Sequence, residues 1–369
     1  MTNSTIDHKK KRLLQTHFLF FNSYRKEKLM KIGLDFIPLM QLLELDILGF
    51  MEKANELGYE GVMLPSGKLI ADDDYRQEVI KKKNELGLYV EMGGSGIDAS
   101  MSGRKPEELA ESWKAFFDAA LEMDVNVLLT GLGTWPWEGR IISKPGKSLR
   151  NQIEGGIATL KQVSKMAEDN HIAVTIHTAF FTADEYVEIM EAVDSPFVGL
   201  CLDTANSFLV MEDPVEFARK TAPWVKSTHL KDSCIYMHGD KMHWMGGCPL
   251  GRGTVDLPVI LDMLYKANPD LNLSIEDHWG RSPVPIYNEE YMNSFANWNG
   301  LRIINLLKHL QKGESLIKAG MHLTDDRINS LDWKRVMPER AVYNRIYLKK
   351  LRDEIESDCY PCKSKDTKP

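Results

Sequence analysis

The feature that most constrains this chain is an eightfold alternation of short apolar runs with longer stretches of helical periodicity. The apolar runs are mostly bounded by Gly, Pro, Asn or Asp, as β-strands usually are. Strand followed by helix, eight times, implies parallel strands joined by right-handed crossovers, and eight units close a barrel more naturally than an open sheet. The predicted strands are 31–36, 58–65, 87–94, 125–133, 172–178, 198–204, 225–232 and 271–278.

The helical stretches between these runs include two with recognisable start signals. Thr182 and Glu185 fit the capping-box pattern, and Pro214 follows Asp213 at a first helical position. The sequence therefore predicts an α/β fold, a (β/α)8 TIM barrel over residues 30–312, with no linker that would split a second domain before that point. We expect residues 1–29 to form a disordered extension, with translation starting at Met1 or Met30, and residues 313–369 to form a C-terminal helical extension with a polar tail.

Composition excludes several classes of protein. The 369 residues carry a net charge of -7, which disfavours nucleic acid because a phosphate-binding face normally shows a basic surplus. No run reaches the roughly 18 apolar residues of a membrane span. The run 13–21 is broken by polar residues and lacks a cleavage site, so we do not interpret it as a signal peptide. The five cysteines show no disulfide spacing, which favours a cytoplasmic location, and the lone pair Cys359 and Cys362 is interpreted as structurally idle.

Metal-competent residues end four consecutive predicted strands. Strands five to eight end in His177, Asp203, His229 and Glu276. In a barrel of this kind, the carboxyl ends of the strands form the active site. Counting back by two from each gives mostly small or polar residues suited to the barrel interior, namely Ala173, Thr175, Gly199, Cys201, Val225, Ser227, Asn272 and Ser274. The residues between them are mostly bulky and apolar, so we expect the four side chains to point inward together.

The chemistry of these four side chains indicates a divalent cation. A single His or Asp at a strand end is more often a hydrogen-bonded structural residue than a ligand. Four of them on consecutive strands with matching parity are hard to obtain by accident. Mixed nitrogen and oxygen ligands suit Mn²⁺, Co²⁺, Zn²⁺ or Mg²⁺, and the absence of thiolate disfavours a closed structural zinc site. We expect Mn²⁺ ahead of the other three.

Residues from Met30 to about Lys312 resemble the xylose isomerase-like TIM barrel superfamily, in particular its sugar phosphate isomerase/epimerase branch. The most specific motifs are Thr182-Ala-Asp-Glu185, Val198–Asn206, His229-Leu-Lys-Asp232, Pro249–Asp256 and Ser274-Ile-Glu276. In that family a Glu-Asp-His-Glu quartet binds the metal. The resemblance implies this role for Asp203, His229 and Glu276, and implies that Asn206 contacts a substrate oxygen.

Strand five departs from the family pattern. Aligned on the strand alternation, His177 stands where the first ligand Glu belongs. Aligned on the helix start at Thr182, Ile176 stands there and His177 is its neighbour; the strand parity favours the first alignment. Family epimerases and ketose isomerases also use two ligand glutamates to move protons on opposite faces of the substrate, and here only Glu276 remains of that pair. Imidazole is a competent base near neutral pH, so His177 is expected to be a metal ligand, a base facing Glu276, or both at different steps.

Four further residues are candidates for substrate binding. The positive charges of Lys231 and Arg252 could bind a substrate oxygen. For each residue taken alone, an ordinary solvated charge is an equally good interpretation. Arg252 also departs from the acidic residue expected at this turn in the family. Trp135 and Trp137 follow strand four and are interpreted as a platform for a sugar face or an aglycone, with a packed loop as the alternative. The long Gly-rich loop 233–255 lies on the side that usually serves substrates.

Two enzymatic functions follow from the resemblance. The first is a metal-dependent enzyme that abstracts a proton next to the carbonyl of a sugar or oxo-sugar, giving isomerisation or epimerisation. The second is a lyase that cleaves 3-oxo-C-glycosides or 3-oxo-O-glycosides by β-elimination. It resembles the catalytic alpha subunit of C-glycoside deglycosidases, which implies a complex with a small beta subunit; a homo-oligomer is the other expected assembly.

Two other functions receive less support. An endonuclease IV-like DNA-repair enzyme needs extra His ligands at early strand ends, but strands two and three finish in Leu64-Pro65 and Gly93-Gly94. The acidic net charge opposes it as well. A non-catalytic sugar sensor, which lost activity together with the first Glu, is the remaining alternative.

Overall fold

The computed structural model describes residues 30–134, 138–141, 144–323 and 325–357, without the side chains of residues 325 and 326. The predictions made for residues 1–29, Trp135, Trp137, Cys359 and Cys362 lie outside the described residues.

Eight parallel strands form a nearly closed barrel with helices around it, which confirms the predicted (β/α)8 fold. The eleven described strands are β1 (Ile32–Asp35), β2 (Gly61–Leu64), β3 (Tyr89–Gly93), β4 (Val127–Thr130), β5 (Ala173–His177), β6 (Val198–Asp203), β7 (Val225–His229), β8 (Ile235–His238), β9 (Lys241–Met245), β10 (Leu273–Ile275) and β11 (Arg281–Val284). Strands β1 to β7 are neighbours in order, and β10 pairs with β1. A parallel bridge between Leu230 and Ile275 joins the β7 end to β10, so the two edges of the sheet meet.

Helices surround the sheet, and a helix begins at each of the two positions where the sequence places a start signal. They are α1 (Leu39–Leu42), α2 (Ile47–Glu56), α3 (Gly67–Ala71), α4 (Asp73–Leu86), α5 (Ala99–Ser102), α6 (Pro106–Ser112), α7 (Lys114–Glu122), α8 (Leu149–Asn170), α9 (Ala183–Val193), α10 (Pro214–Thr221), α11 (Leu257–Ala267), α12 (Glu289–Asn293), α13 (Gly300–Lys318), α14 (Asp325–Ile328) and α15 (Trp333–Glu356). The Thr182 side chain accepts from the Glu185 amide, and the Glu185 carboxylate accepts from the Thr182 amide. The capping box predicted at this helix is confirmed.

Strand parity separates the barrel interior from the helix-facing side, as predicted. Ser227 donates to Thr175 across the interior at 3.0 Å, although their strands β7 and β5 are not adjacent. Asn272 likewise donates to Glu91 at 3.1 Å. The intervening apolar residues belong to the buried hydrophobic core around the barrel, namely Val174, Ile176, Leu200, Leu202, Leu273 and Ile275. This alternation turns the polar residues at the strand ends toward the barrel axis.

The segment after β7 is more ordered than the predicted long loop. Strands β8 and β9 form an antiparallel hairpin within residues 233–255, and β11 adds to β9 from beyond the last barrel strand. Asp232 anchors the return of this segment, because its carboxylate accepts from the amides of Ser233, Gly253 and Val255. The result is a small three-stranded sheet beside the carboxyl ends of β7 and β10.

The C-terminal helices pack on the barrel. Helix α13 runs through residue 312 without interruption, and its Gly313 lies against the backbone of Ile235 in β8. Helix α15 contacts α11, α1 and β1, the place of the eighth barrel helix. Tyr59 donates to the carbonyl of Ala341 at 2.8 Å, and Arg352 donates to the carbonyl of Met30 at 2.9 Å. Within the described ranges, none of the helices combines the length and apolar character needed to cross a bilayer.

Candidate metal centre

Four strand ends bring His177, Asp203, His229 and Glu276 together at the barrel mouth. The first three end β5, β6 and β7, and Glu276 directly follows β10. Each residue offers one nitrogen or oxygen atom, and these four atoms all lie within 4.8 Å of one another. We call these four residues the ligand cluster. A cation of this kind is bound at about 2.0–2.2 Å from each ligand, so ligand atoms of one ion lie at most about 4.4 Å apart, and a small movement of the side chains lets these four atoms share one ion.

His177 belongs to this cluster, whereas Ile176 does not. The His177 Nε2 atom lies 3.2 Å from Oδ2 of Asp203 and 3.9 Å from Oε2 of Glu276. Ile176 is fully buried in the core outside the barrel. The His177 side chain is 26% exposed, whereas the other three cluster residues are buried. The geometry therefore agrees with the alignment on strand alternation, and His177 is the cluster member nearest to solvent.

Asp203 is oriented by its own turn. Its backbone amide donates to Thr178, and its Oδ1 accepts from the amides of Ala205 and Asn206 at 2.9 and 3.0 Å. These contacts hold one carboxylate oxygen in the turn and leave Oδ2 facing the cluster. The Asn206 amide group lies 3.4 Å from Nε2 of His177 and donates to the carbonyl of Thr178. Asn206 therefore lies beside the ligand cluster, and its contact with a substrate oxygen stays a prediction.

His229 shows most directly that the cluster suits a cation. Its Nδ1 lies 2.8 Å from Oε2 of Glu276. Within the described residues, neither ring nitrogen of His229 has a partner at hydrogen-bonding geometry. A buried polar atom without a partner costs free energy in the folded state. Nitrogen and oxygen atoms that point to one place without hydrogen-bonding to each other can instead bind one shared cation. The residues present therefore fit a divalent metal ion.

Lys231 lies against both carboxylates of the cluster. Its Nζ lies 2.9 Å from Oδ2 of Asp203 and 3.0 Å from Oε2 of Glu276. Burial by itself raises the pKa of both carboxyl groups, but the Lys231 ammonium and the neighbouring imidazoles together outweigh it, and the pKa of each is lower than usual. Both carboxylates are therefore ionised at neutral pH. Lys231 lies inside the ligand cluster and not at the rim of the barrel mouth.

Asp35, which sequence reasoning missed, and His278 also lie beside the ligand cluster. Asp35 ends β1, and its Oδ2 lies 3.6 Å from Nε2 of His229. His278 follows β10, and its Nε2 lies 3.3 Å from Nζ of Lys231. Burial, followed by the Lys231 charge, lowers the pKa of His278 to about 4, so this imidazole is neutral. The strand-end rule that found the ligand cluster also applies to Asp35, which lies at the carboxyl end of a predicted strand.

Arg252 lies apart from these contacts. Its side chain is exposed and donates to the hydroxyl of Tyr343 on α15 at 3.2 Å. The structure thus brings Asn206 and Lys231 to the ligand cluster and places Arg252 against the C-terminal helix. A role for Arg252 in substrate binding stays a prediction.

Comparison with known proteins supports the fold and the family. A curated relative, 3-oxo-isoapionate decarboxylase of Pectobacterium atrosepticum, is 30% identical over 99 residues, which are 26% of this chain and 34% of the relative. The match thus spans about a third of that relative. D-psicose 3-epimerase from Clostridium cellulolyticum H10 aligns with 88% of this chain and 99% of its own, at 16% identity and a TM-score of 0.57. The 3-keto-D-glucoside 4-epimerase of E. coli aligns with 72% and 97%, at 16% identity and a TM-score of 0.53.

A family model extends this similarity over most of the barrel. The model of the xylose isomerase-like TIM barrel matches residues 51–295, from helix α2 to the segment after α12. These residues contain all four members of the ligand cluster, together with Asn206 and Lys231. The chain belongs to the xylose isomerase-like TIM barrel family.

Proposed function

We propose that this chain is a divalent-metal-dependent enzyme that abstracts a proton next to the carbonyl of a sugar or oxo-sugar, giving isomerisation or epimerisation. The observation that carries the proposal is the ligand cluster, whose four atoms lie within 4.8 Å of one another at the barrel mouth. Active sites of such barrels lie on this face. The named relative and the two named neighbours all act on sugars or their oxo derivatives, which supports the substrate class.

The metal is proposed to be held by all four members of the ligand cluster. Two imidazoles and two carboxylates suit Mn²⁺, with Co²⁺, Zn²⁺ and Mg²⁺ as alternatives. When bound, such a cation supplies Lewis-acid polarisation of a carbonyl oxygen, which acidifies the neighbouring C–H group.

Glu276 is the proposed base. It is ionised because Lys231 and His229 outweigh the effect of burial on its pKa. Its carboxylate lies beside the position where the cluster atoms converge, and a base must come within about 3 Å of the proton that it removes. Lys231 lies against the carboxylates of Asp203 and Glu276, and the Asn206 amide lies beside His177; both side chains are the proposed contacts for substrate oxygens.

His177 is the proposed second acid–base group. Inversion of a carbon centre requires that a proton leave one face and return to the other, so one carboxylate alone is insufficient. His177 is the partly exposed member of the cluster and lies 3.9 Å from Glu276. It therefore takes the place of the glutamate that the resemblance implies at the first ligand position.

Solvent exchange tests the proton-abstraction step without knowledge of the product. The protein would be incubated with Mn²⁺ in D₂O with a panel of ketoses, 3-oxo-glycosides and 3-oxo sugar acids, and deuterium incorporation next to the carbonyl would be followed by NMR. We expect Glu276→Gln to abolish incorporation, and Glu314→Gln, an exposed position on α13, to leave it unchanged. A wild-type protein that binds no Mn²⁺, or that binds it and exchanges no proton across the panel, contradicts the proposal.

A lyase acting on 3-oxo-glycosides is the second candidate. The relative and one neighbour have 3-oxo or 3-keto substrates in their names, and His177 stands where the family resemblance implies a glutamate. This candidate includes a small beta-subunit partner, with a homo-oligomer as the alternative assembly. Release of an aglycone or of CO₂, with no turnover of ketoses, would replace the isomerase proposal by a lyase.

Cys201, Cys234 and Cys248 are free and buried, which supports a cytoplasmic location.

A further inference from the structure

Lys231 and the proposed cation share the same two oxygen atoms. The Lys231 Nζ atom contacts Oδ2 of Asp203 at 2.9 Å and Oε2 of Glu276 at 3.0 Å. These are the oxygens that face the imidazoles, since Oδ2 of Asp203 lies 3.2 Å from His177 and Oε2 of Glu276 lies 2.8 Å from His229. A positive side chain thus lies within the ligand cluster, where an incoming cation meets it at short range.

The position of Lys231 is fixed by the fold. Its backbone amide donates to Oγ1 of Thr204, which in turn donates to the Lys231 carbonyl. Its side chain is 2% exposed, and its ammonium lies 5.6 Å from the ring centre of Trp244. The indole nitrogen of Trp244 is itself bound to the carbonyl of Ala205. A lysine enclosed in this way cannot carry its charge into solvent when another cation binds.

The charges at this position then set what the site accepts. The two carboxylates and the ammonium leave one unit of negative charge among the groups in direct contact, and the Asp35 carboxyl group, 3.6 Å from the far nitrogen of His229, is separated from them by that ring. A divalent cation converts this into one unit of positive charge. Because a buried excess charge is costly unless it is paired, one anionic group of the ligand completes the balance.

We propose that Lys231 weakens cation binding at the ligand cluster and makes it depend on a monoanionic ligand, so that the substrate carries a carboxylate or an equivalent single negative charge. This inference rests on the proposed metal-dependent function and narrows its substrate class to oxo-sugar acids. The binding of metal and anion is positively coupled, and the coupling is reciprocal because it is a property of the equilibrium.

Manganese titration with a charge-matched pair of small ligands tests this coupling. Free Mn²⁺ would be measured by electron paramagnetic resonance, alone and with excess glycolate or glycolamide, which differ mainly in charge. For the wild-type protein we expect glycolate to tighten Mn²⁺ binding about tenfold and glycolamide to leave it unchanged. For Lys231→Met we expect Mn²⁺ to bind about tenfold more tightly without any anion, and the effect of glycolate to be lost.

Two further variants separate charge from folding. Lys231→Gln keeps a hydrogen-bond donor without the charge and should follow Lys231→Met, while Lys220→Met removes an exposed lysine on α10 and should follow the wild type. A Lys231 variant that folds only with Mn²⁺ present supports the inference, because one cation then replaces the other. Equal Mn²⁺ affinity in the wild type and both Lys231 variants, or a glycolate effect that survives in them, overturns the inference and leaves the proposed function standing. Absence of Mn²⁺ binding in every protein overturns both.

Discussion

Oδ2 of Asp35 lies 3.6 Å from Nε2 of His229, while Nδ1 of the same ring faces Glu276 at 2.8 Å. A carboxylate opposite the metal-facing nitrogen fixes the orientation of an imidazole and raises its basicity. We therefore expect Asp35→Asn to lower the affinity for Mn²⁺ by about 10- to 100-fold, measured by isothermal titration calorimetry. Asp74→Asn, at an exposed position in α4, is the control. Unchanged affinity in Asp35→Asn would show that other contacts hold the ring.

His177 is the proposed metal ligand at the end of strand β5. Its Nε2 lies among the cluster oxygens, so His177→Ala should lose Mn²⁺ affinity together with turnover. His177→Glu restores the carboxylate implied by the family resemblance and should recover Mn²⁺ binding to a large extent, because carboxylate oxygen is a good ligand for this ion. Metal content after dialysis and the deuterium-exchange rate are the two measurements. If His177→Ala keeps both its metal and its turnover, His177 is neither ligand nor base.

The ion pair between Asp277 and Arg340 joins the last barrel strand to helix α15. Arg340 Nε donates to Oδ2 of Asp277 at 2.9 Å, and the Asn344 amide donates to the same oxygen at 2.8 Å. Both charged side chains are largely buried, so Arg340→Met leaves Asp277 unpaired and should lower the free energy of unfolding by about 3–5 kcal/mol.

Urea unfolding measures this loss, and two variants control it. Removing both charges in Asp277→Leu/Arg340→Met should recover much of the stability, because the cost arises from the unpaired buried charge. Lys334→Met breaks an exposed pair with Glu44 and should leave the unfolding free energy essentially unchanged. A single Arg340 variant as stable as the wild type would show that Asp277 is neutral or solvated in the fold.

Glu91, in the barrel interior, makes the free energy of unfolding depend on pH. Burial raises the pKa of this carboxyl group to about 7, against an ordinary value of 4.5, despite the hydrogen bond from Asn272. The folded state therefore holds the proton more tightly than the unfolded state, and its stabilising effect is present at low pH and lost as the pH rises through about 7. Relative to Glu91→Gln, the wild type should lose roughly 3 kcal/mol of unfolding free energy between pH 5 and pH 8. Parallel pH profiles of the two proteins would contradict this.

The strand ends were predictable because two rules act together. Side chains alternate with a period of two along a strand, and the carboxyl ends of parallel barrel strands meet at one face. These rules place His177, Asp203 and His229 from sequence alone, and the structure brings them together with Glu276. The capping box at Thr182 was equally local and equally readable.

The remaining features depend on contacts that the sequence does not encode locally. The position of Lys231 between two carboxylates requires the turn at Thr204 and the packing of Trp244, which come from two other segments. Strand β11 joins the sheet by pairing with β9, across the whole of helix α11 and strand β10. Helix α15 is held in the eighth position by long-range contacts with Asp277 and with Met30 beside β1. Its own sequence carries no local signal of that position, which is why the sequence predicts an appended segment.

The placement of helix α15 also has a kinetic consequence. Met30 donates to Glu356 and accepts from Arg352, contacts that join residues 326 and 322 positions apart in the chain. Strand β1 likewise has one unpaired edge until β10 folds and pairs with it. Contacts of such sequence separation close long loops before they contribute stability, and chains rich in them fold slowly. Barrel closure is therefore expected to be the late step of folding, and until it occurs the edge of β1 is exposed to pairing with other chains.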